Sequence, residues 1–193
     1  MNRYDTVLMK IVHRTFNEMV ICTESYAGAL GLVPRGDLFY FKIYDGRQQE
    51  EVLRRGSFTA LASMSSLDYV RAVIEKRCPE KWYLRFDCDL VYCERIKGAF
   101  VCSCRARDPT FKPAPPPKRT FFFVLEVLIA LTKAWAGLEV DVDLVEHYVR
   151  EVERLGEEED LEALKIIRKA WGLVDPPGFE PGTSALRGRR SSS

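Results

Sequence analysis

The chain has 193 residues, 47% of them hydrophobic and 30% charged, enough for one or two domains with a real core. Its 29 basic and 28 acidic residues leave a formal net charge of +1, which gives no general reason to expect nucleic acid or an anionic membrane as partner. The longest apolar run, residues 121–131, is broken by Glu126 and too short to span a bilayer, and residues 1–12 lack the continuous apolar core of a secretory signal, so a soluble cytoplasmic protein is expected.

In chain order, Val7, Leu8, Ile11 and Val12 share a helical face and predict a short N-terminal helix over 7–14. Strands follow at 18–25 and 27–33, with a weak turn at Tyr26-Ala27-Gly28 between them. Pro34-Arg35-Gly36-Asp37 is a strong turn, and the aromatic and β-branched run 38–44 is a third strand. Asp45-Gly46-Arg47 breaks that strand before a short helix over 48–55, which Gly56 ends. A strand at 58–63 leads to Ser65, an N-cap with Asp68 three positions on, and a helix to about Arg77. Two long strands, 81–96 and 99–107, flank Lys97-Gly98.

The six cysteines are Cys22, Cys78, Cys88, Cys93, Cys102 and Cys104, and none forms a Cys-x-x-Cys pair, so no metal site is expected. The register around Lys97-Gly98 bears on their state. A two-residue turn sets Cys93 opposite Cys102, within reach of a disulfide. A three-residue turn sets Tyr92 opposite Cys102 and Leu90 opposite Cys104. The second register pools Leu84, Phe86, Cys88, Leu90 and Tyr92 on one face, which favours it and with it free thiols.

Residues 109–117, with Pro109, Pro113, Pro115, Pro116 and Pro117, read as a stiff connector. Helices follow at 119–136, 142–155 and 158–171, broken at Gly137 and Gly156. Within the first, Arg119, Glu126 and Lys133 recur every seven residues and share a face; charges there need partners. The acidic run 157–160 reads as a solvated helix start, where the dipole favours it, and not as a metal site. Residues 173–193 are expected to be a disordered tail, with Arg187, Arg189 and Arg190 and no acidic residue after Glu180. Gly178-Phe179-Glu180-Pro181 can be encoded by a transfer-RNA T-arm read in reverse, so the reading frame is expected to run into a neighbouring tRNA gene.

The strongest ligand signal is Gly46-Arg47-Gln48. A turn that delivers free N–H groups to a helix start, beside a guanidinium, suits a phosphate. Thr59 and Ser63, at alternating spacing on the next strand, line the same expected cleft, and Arg119 at the start of its helix joins the set. No Ser/Cys–His–Asp pattern surrounds His13 or His147, so no catalytic residue can be named.

A β-rich half, a proline connector and a helix carrying Arg119, Val124, Glu126, Leu128, Ile129, Ala130, Thr132 and Lys133 resemble the domain-of-unknown-function 447 family of split-barrel flavoproteins. Val20-Ile21-Cys22-Thr23 with Leu30-Gly31-Leu32, the 38–44 strand with Gly46, and Arg154-Leu155-Gly156-Glu157-Glu158-Glu159 are similar to its other segments, so the likeness covers about 18–172. The resemblance implies an α+β fold: a split β-barrel over 1–108, the 109–117 connector, and a C-terminal helical subdomain over 118–172. It implies a six-stranded barrel that binds flavin mononucleotide (FMN), a homodimer with the flavin near the subunit interface, and an oxidoreductase of unknown substrate. Three positions depart from the family's pattern. Tyr26-Ala27-Gly28-Ala29 lacks its Asn and Pro, Arg47, Gln48 and Gln49 replace its Ser and Thr, and Leu61-Ala62-Ser63-Met64 replaces its Asn-x-Thr-Asp. These changes frame the alternative, a non-catalytic dimeric scaffold of the same fold that has lost flavin.

Overall fold

A computed structural model describes residues 18–44, 50–96 and 98–172; the expected N-terminal helix, the Gly46-Arg47-Gln48 turn and the tail lie outside the described residues. Its elements are β1 (Glu18–Cys22), β2 (Ala27–Gly31), β3 (Val33–Arg35), β4 (Leu38–Tyr44), α1 (Glu50–Arg55), β5 (Ser57–Ala62), α2 (Ser66–Ile74), β6 (Leu84–Ile96), β7 (Ala99–Phe111), α3 (Arg119–Trp135), α4 (Val142–Leu155) and α5 (Glu158–Trp171). The strands form one antiparallel sheet in the order β2-β1-β5-β6-β7-β4-β3. The strand beyond the six expected is β3: Val33 and Pro34 extend into it, and Gly36 at φ 65° makes the turn into β4.

The sheet curls until β2 approaches β4 from the far edge, giving a split barrel. Period-two alternation fills its inside. Phe39, Phe41 and Ile43 of β4 meet Phe58, Ala60 and Ala62 of β5 and Leu84, Phe86 and Cys88 of β6. Phe39 stacks on Phe86, and Phe41 meets Phe58 edge to face. The outer face of β1 and β5 carries Val20, Cys22 and Leu61 into a second core built by the helices. There the wide apolar face of α3, from Phe121 to Leu131, packs with Val145, Val149 and Val152 of α4 and Leu164, Ile167 and Trp171 of α5. β1 is thus buried on both faces.

The free-thiol expectation is corrected: all six cysteines are joined, as Cys22–Cys78, Cys88–Cys104 and Cys93–Cys102. The β6–β7 hairpin uses both registers in turn. Next to the turn Ile96 faces Ala99 and Cys93 faces Cys102, as a two-residue turn requires. A bulge at Val91 then shifts the pairing, so that Leu90 faces Cys104, the apolar-pooling register. Cys88 lies opposite Ala106 and reaches Cys104 diagonally, at 5.6 Å between Cα atoms.

β7 runs four residues past the expected end at Arg107. It tolerates Pro109 because β4 pairs only as far as Cys104, leaving that edge without a ladder to interrupt, and Asp108 takes φ 51° beside a second register shift. The expected Ser65 cap forms, its side chain accepting from the N–H of Asp68 at 3.2 Å, but α2 stops at Ile74, short of the expected Arg77; Asp141, not expected as a cap, accepts from the N–H of Leu144 at 3.1 Å. No helix among the described residues is long and apolar enough to cross a membrane.

Candidate functional site

Two regions of the fold gather chemistry, at opposite ends of β5. At its Ser57 end, α1 comes against the β1–β2 turn. That turn is closed by Thr23, whose hydroxyl accepts from the N–H groups of Ser25 and Tyr26. Ser25 donates its hydroxyl proton to Glu51 at 2.9 Å, Arg54 and Arg55 both pair with Glu51, and Arg55 reaches Glu24 at 2.8 Å. Hydrogen bonds from Arg55, then Arg54, then Ser25 hold the Glu51 carboxyl down to a pKa of about 2. This cluster follows directly on the segment that contains Gly46, Arg47 and Gln48. Thr59 is one strand in, opposite Cys22, and donates to Asp87 at 2.7 Å.

The other end of β5 opens on a cleft beneath the proline connector. Two cavities of about 570 and 600 Å3 share Ser63, Met64, Tyr83 and Pro113 to Pro115, so they form one trough. Phe111, Phe121 and the prolines line the first; Arg71, Arg77, Lys81 and the carboxylates of Asp68, Glu80 and Glu159 line the second. The Cys22–Cys78 bridge fastens to β1 the chain that follows α2 and forms one wall. Trp82 supports Lys112, whose ammonium lies 3.7 Å from the indole centroid.

Behind this trough, the N-termini of α2, α3 and α5 converge on one carboxylate. Asp160 is 7% exposed, accepting from Ser66 Oγ at 2.8 Å and Thr120 Oγ1 at 2.8 Å, and caps its own helix through the Glu157 N–H. The acidic run at the start of α5 is therefore solvated except for Asp160, whose charge suits three helix starts.

The expected site residues divide. Thr59 and Ser63 share the helix-side face of β5 with Leu61 between them, but both hydroxyls already have partners, Asp87 and Asp68. Arg119 does not line the trough. It is exposed on the far side of α3, over the Phe123 ring at 5.3 Å and within the field of Glu151 on α4. Arg119, Glu126 and Lys133 are exposed on α3, and the charge of Glu126 adds to the burial that raises the Glu18 carboxyl of β1. Met64, Tyr83, Lys112 and Phe121 escaped the sequence reading. A connector read as a spacer is here a cavity wall, and no local pattern announces that.

No protein-family model and no curated protein sequence matches the chain. Among solved structures, an FMN-bound protein of Methanosarcina mazei, described under the domain-of-unknown-function 447 model, superposes with a TM-score of 0.73 at 19% identity, over 84% of this chain and 99% of that one. A flavin reductase complexed with NADP+ overlaps more loosely, with a TM-score of 0.46 at 8% identity over 57% of this chain and 90% of that one. The styrene monooxygenase flavin reductase of Pseudomonas putida gives 0.43 at 10% identity over 55% and 87%. The curled seven-stranded sheet and its C-terminal helices thus give this chain the split-barrel fold seen in the Methanosarcina mazei protein.

Proposed function

We propose that this chain is a flavin mononucleotide-binding protein of the domain-of-unknown-function 447 type and works as an oxidoreductase. The observation that carries the reading is the superposition of nearly the whole of an FMN-bound protein on this chain. The donors at the Ser57 end of β5 fit a phosphate. Arg54, 74% exposed at its side chain, lies on α1, the helix that follows Gly46, Arg47 and Gln48 in the chain, and the Ser25 hydroxyl meets that helix at Glu51. In this reading those five residues bind the phosphate, Glu51 orients the two guanidiniums, and Thr59 packs beside the ring system. When bound, the flavin supplies the redox chemistry. Arg119 belongs to a different surface and is assigned no contact with the cofactor.

A homodimer accompanies this reading. Beyond Leu90, whose N–H still reaches the Gly56 carbonyl, no strand pairs with β6 on its β5 side among the described residues, and Val91, Tyr92 and Ile96 are exposed there. Light scattering on the purified protein tests it; a monomeric mass removes the dimer.

The visible spectrum of the purified protein, followed by titration with FMN, is the direct test. Flavin bands, or saturable binding weakened about tenfold by Arg54→Ala, are expected. A colourless protein that ignores added FMN sinks the reading. One observation favours the alternative of a flavin-free scaffold: Arg54 and Arg55 already have carboxylate partners in Glu51 and Glu24.

A further inference from the structure

The trough beneath the proline connector has a chemical character of its own. Its inner cavity, about 570 Å3, has the volume of a small-molecule site. Met64, Phe111, Phe121 and the prolines make its walls apolar, and Lys112 is the one charged side chain on its lining among the described residues. No carboxylate faces that chamber, and Lys112 makes no ion pair among the described residues. Its ammonium rests against the Trp82 ring, where the inner cavity meets the outer one.

The polar groups beside Lys112 differ in availability. Ser63 donates to Asp68 and accepts from the N–H of Ser65, so its hydroxyl is engaged. The hydroxyl of Tyr83 has no hydrogen-bond partner among the described residues, and burial pushes its pKa up, so at neutral pH it keeps its proton as a donor. A fixed cation and one free donor, at the rim of an otherwise apolar chamber, select an anion with an apolar body.

The geometry points to a second small-molecule site under the connector, one that takes a flat, apolar carboxylic acid. The ring body lies against Met64, Phe111 and Phe121, and the carboxylate sits between Lys112 and Tyr83. This site is separate from the phosphate cluster: that cluster lies at the Ser57 end of β5, and Ser63 follows the other end, six residues on, about 20 Å at strand rise. It does not rest on flavin being bound.

Isothermal titration calorimetry of the full chain with 2-naphthoate and with uncharged 2-naphthalenemethanol tests it, each with and without saturating FMN. The acid is expected to bind one-to-one, about tenfold more tightly than the alcohol. Lys112→Ala should erase that advantage and leave the alcohol's affinity unchanged. Tyr83→Phe should weaken the acid about threefold. Lys112→Gln, which keeps most of the stem, should behave as Lys112→Ala, and an unchanged melting temperature shows that both variants are folded. FMN should displace neither ligand. Equal affinity for acid and alcohol, no saturable binding of the acid, an unaltered Lys112→Ala variant, or displacement by FMN overturns the assignment. The first three leave the flavin reading untouched, and loss of FMN binding alone leaves this one untouched.

Discussion

Replacing Asp160 by alanine removes the acceptor on which three helix starts depend. Ser66 and Thr120 are 1% and 5% exposed, so water cannot readily replace the lost partner, and two hydroxyls are left buried and unsatisfied. Hydrogen bonds to a charged group contribute about 1.5–3 kcal/mol each, and the helix cap about 1 kcal/mol. Release of the carboxylate from its own burial offsets part of this. The net expectation is a loss of about 3 kcal/mol, or a fall of about 6–12 °C in Tm for a chain of this size. Thermal and urea denaturation followed by circular dichroism would measure it. A double-mutant cycle sharpens the reading. In a background already carrying Ser66→Ala and Thr120→Val, Asp160→Ala should cost only the cap, about 1 kcal/mol. A fall of less than about 2 °C in the single variant, or full additivity in the cycle, would refute the junction as a stabilising element.

Peptide mapping after alkylation without reduction should recover Cys22–Cys78, Cys88–Cys104 and Cys93–Cys102 as linked pairs. Such bonds are uncommon in a reducing cytosol, so recovering all six thiols free from rapidly quenched cells would remove them. Breaking the Cys22–Cys78 bridge by a double alanine substitution should lower stability by up to about 4 kcal/mol, since it closes the longest loop, 56 residues; urea denaturation reads this. Gly28→Ala should cost about 1–3 kcal/mol, because a Cβ there meets the Tyr26 hydroxyl at 2.3 Å; chemical denaturation reads it, and a neutral result means the Tyr26 ring swings aside freely. The Glu18 carboxyl is raised, first by burial and then by Glu126, so its ionised form is disfavoured in the folded protein. That cost is absent below the ordinary carboxylate range and complete once pH passes the raised folded value. Glu126→Gln should therefore raise Tm at neutral pH by about 1–2 °C, with no gain at acid pH; a gain that persists in acid would disprove the electrostatic cause.

Local chemistry was legible where it dominates. The boundaries of β4, α4 and α5 follow from alternation, from 3.6-residue spacing and from the breaks at Gly137 and Gly156. The likeness carried by β1, β4 and α3 was enough to expect a split barrel, and the fold is one. The cysteines show where such reading stops. Each candidate register was right over part of the hairpin, because a bulge at Val91 joins them, and no residue type marks a bulge.

Sequence by itself determined six of the seven strands, the three terminal helices and the apolar face of α3, since each depends on neighbours within a few residues. Tertiary structure decided what those elements do together. It turned the stripe of Arg119, Glu126 and Lys133 outward, brought Asp160 to Ser66 and Thr120 across 94 and 40 residues, and folded the proline connector over Ser63 and Tyr83. Those contacts depend on how packed faces meet in space, and a carboxylate at a helix start looks the same in the sequence whether water or two buried hydroxyls will surround it.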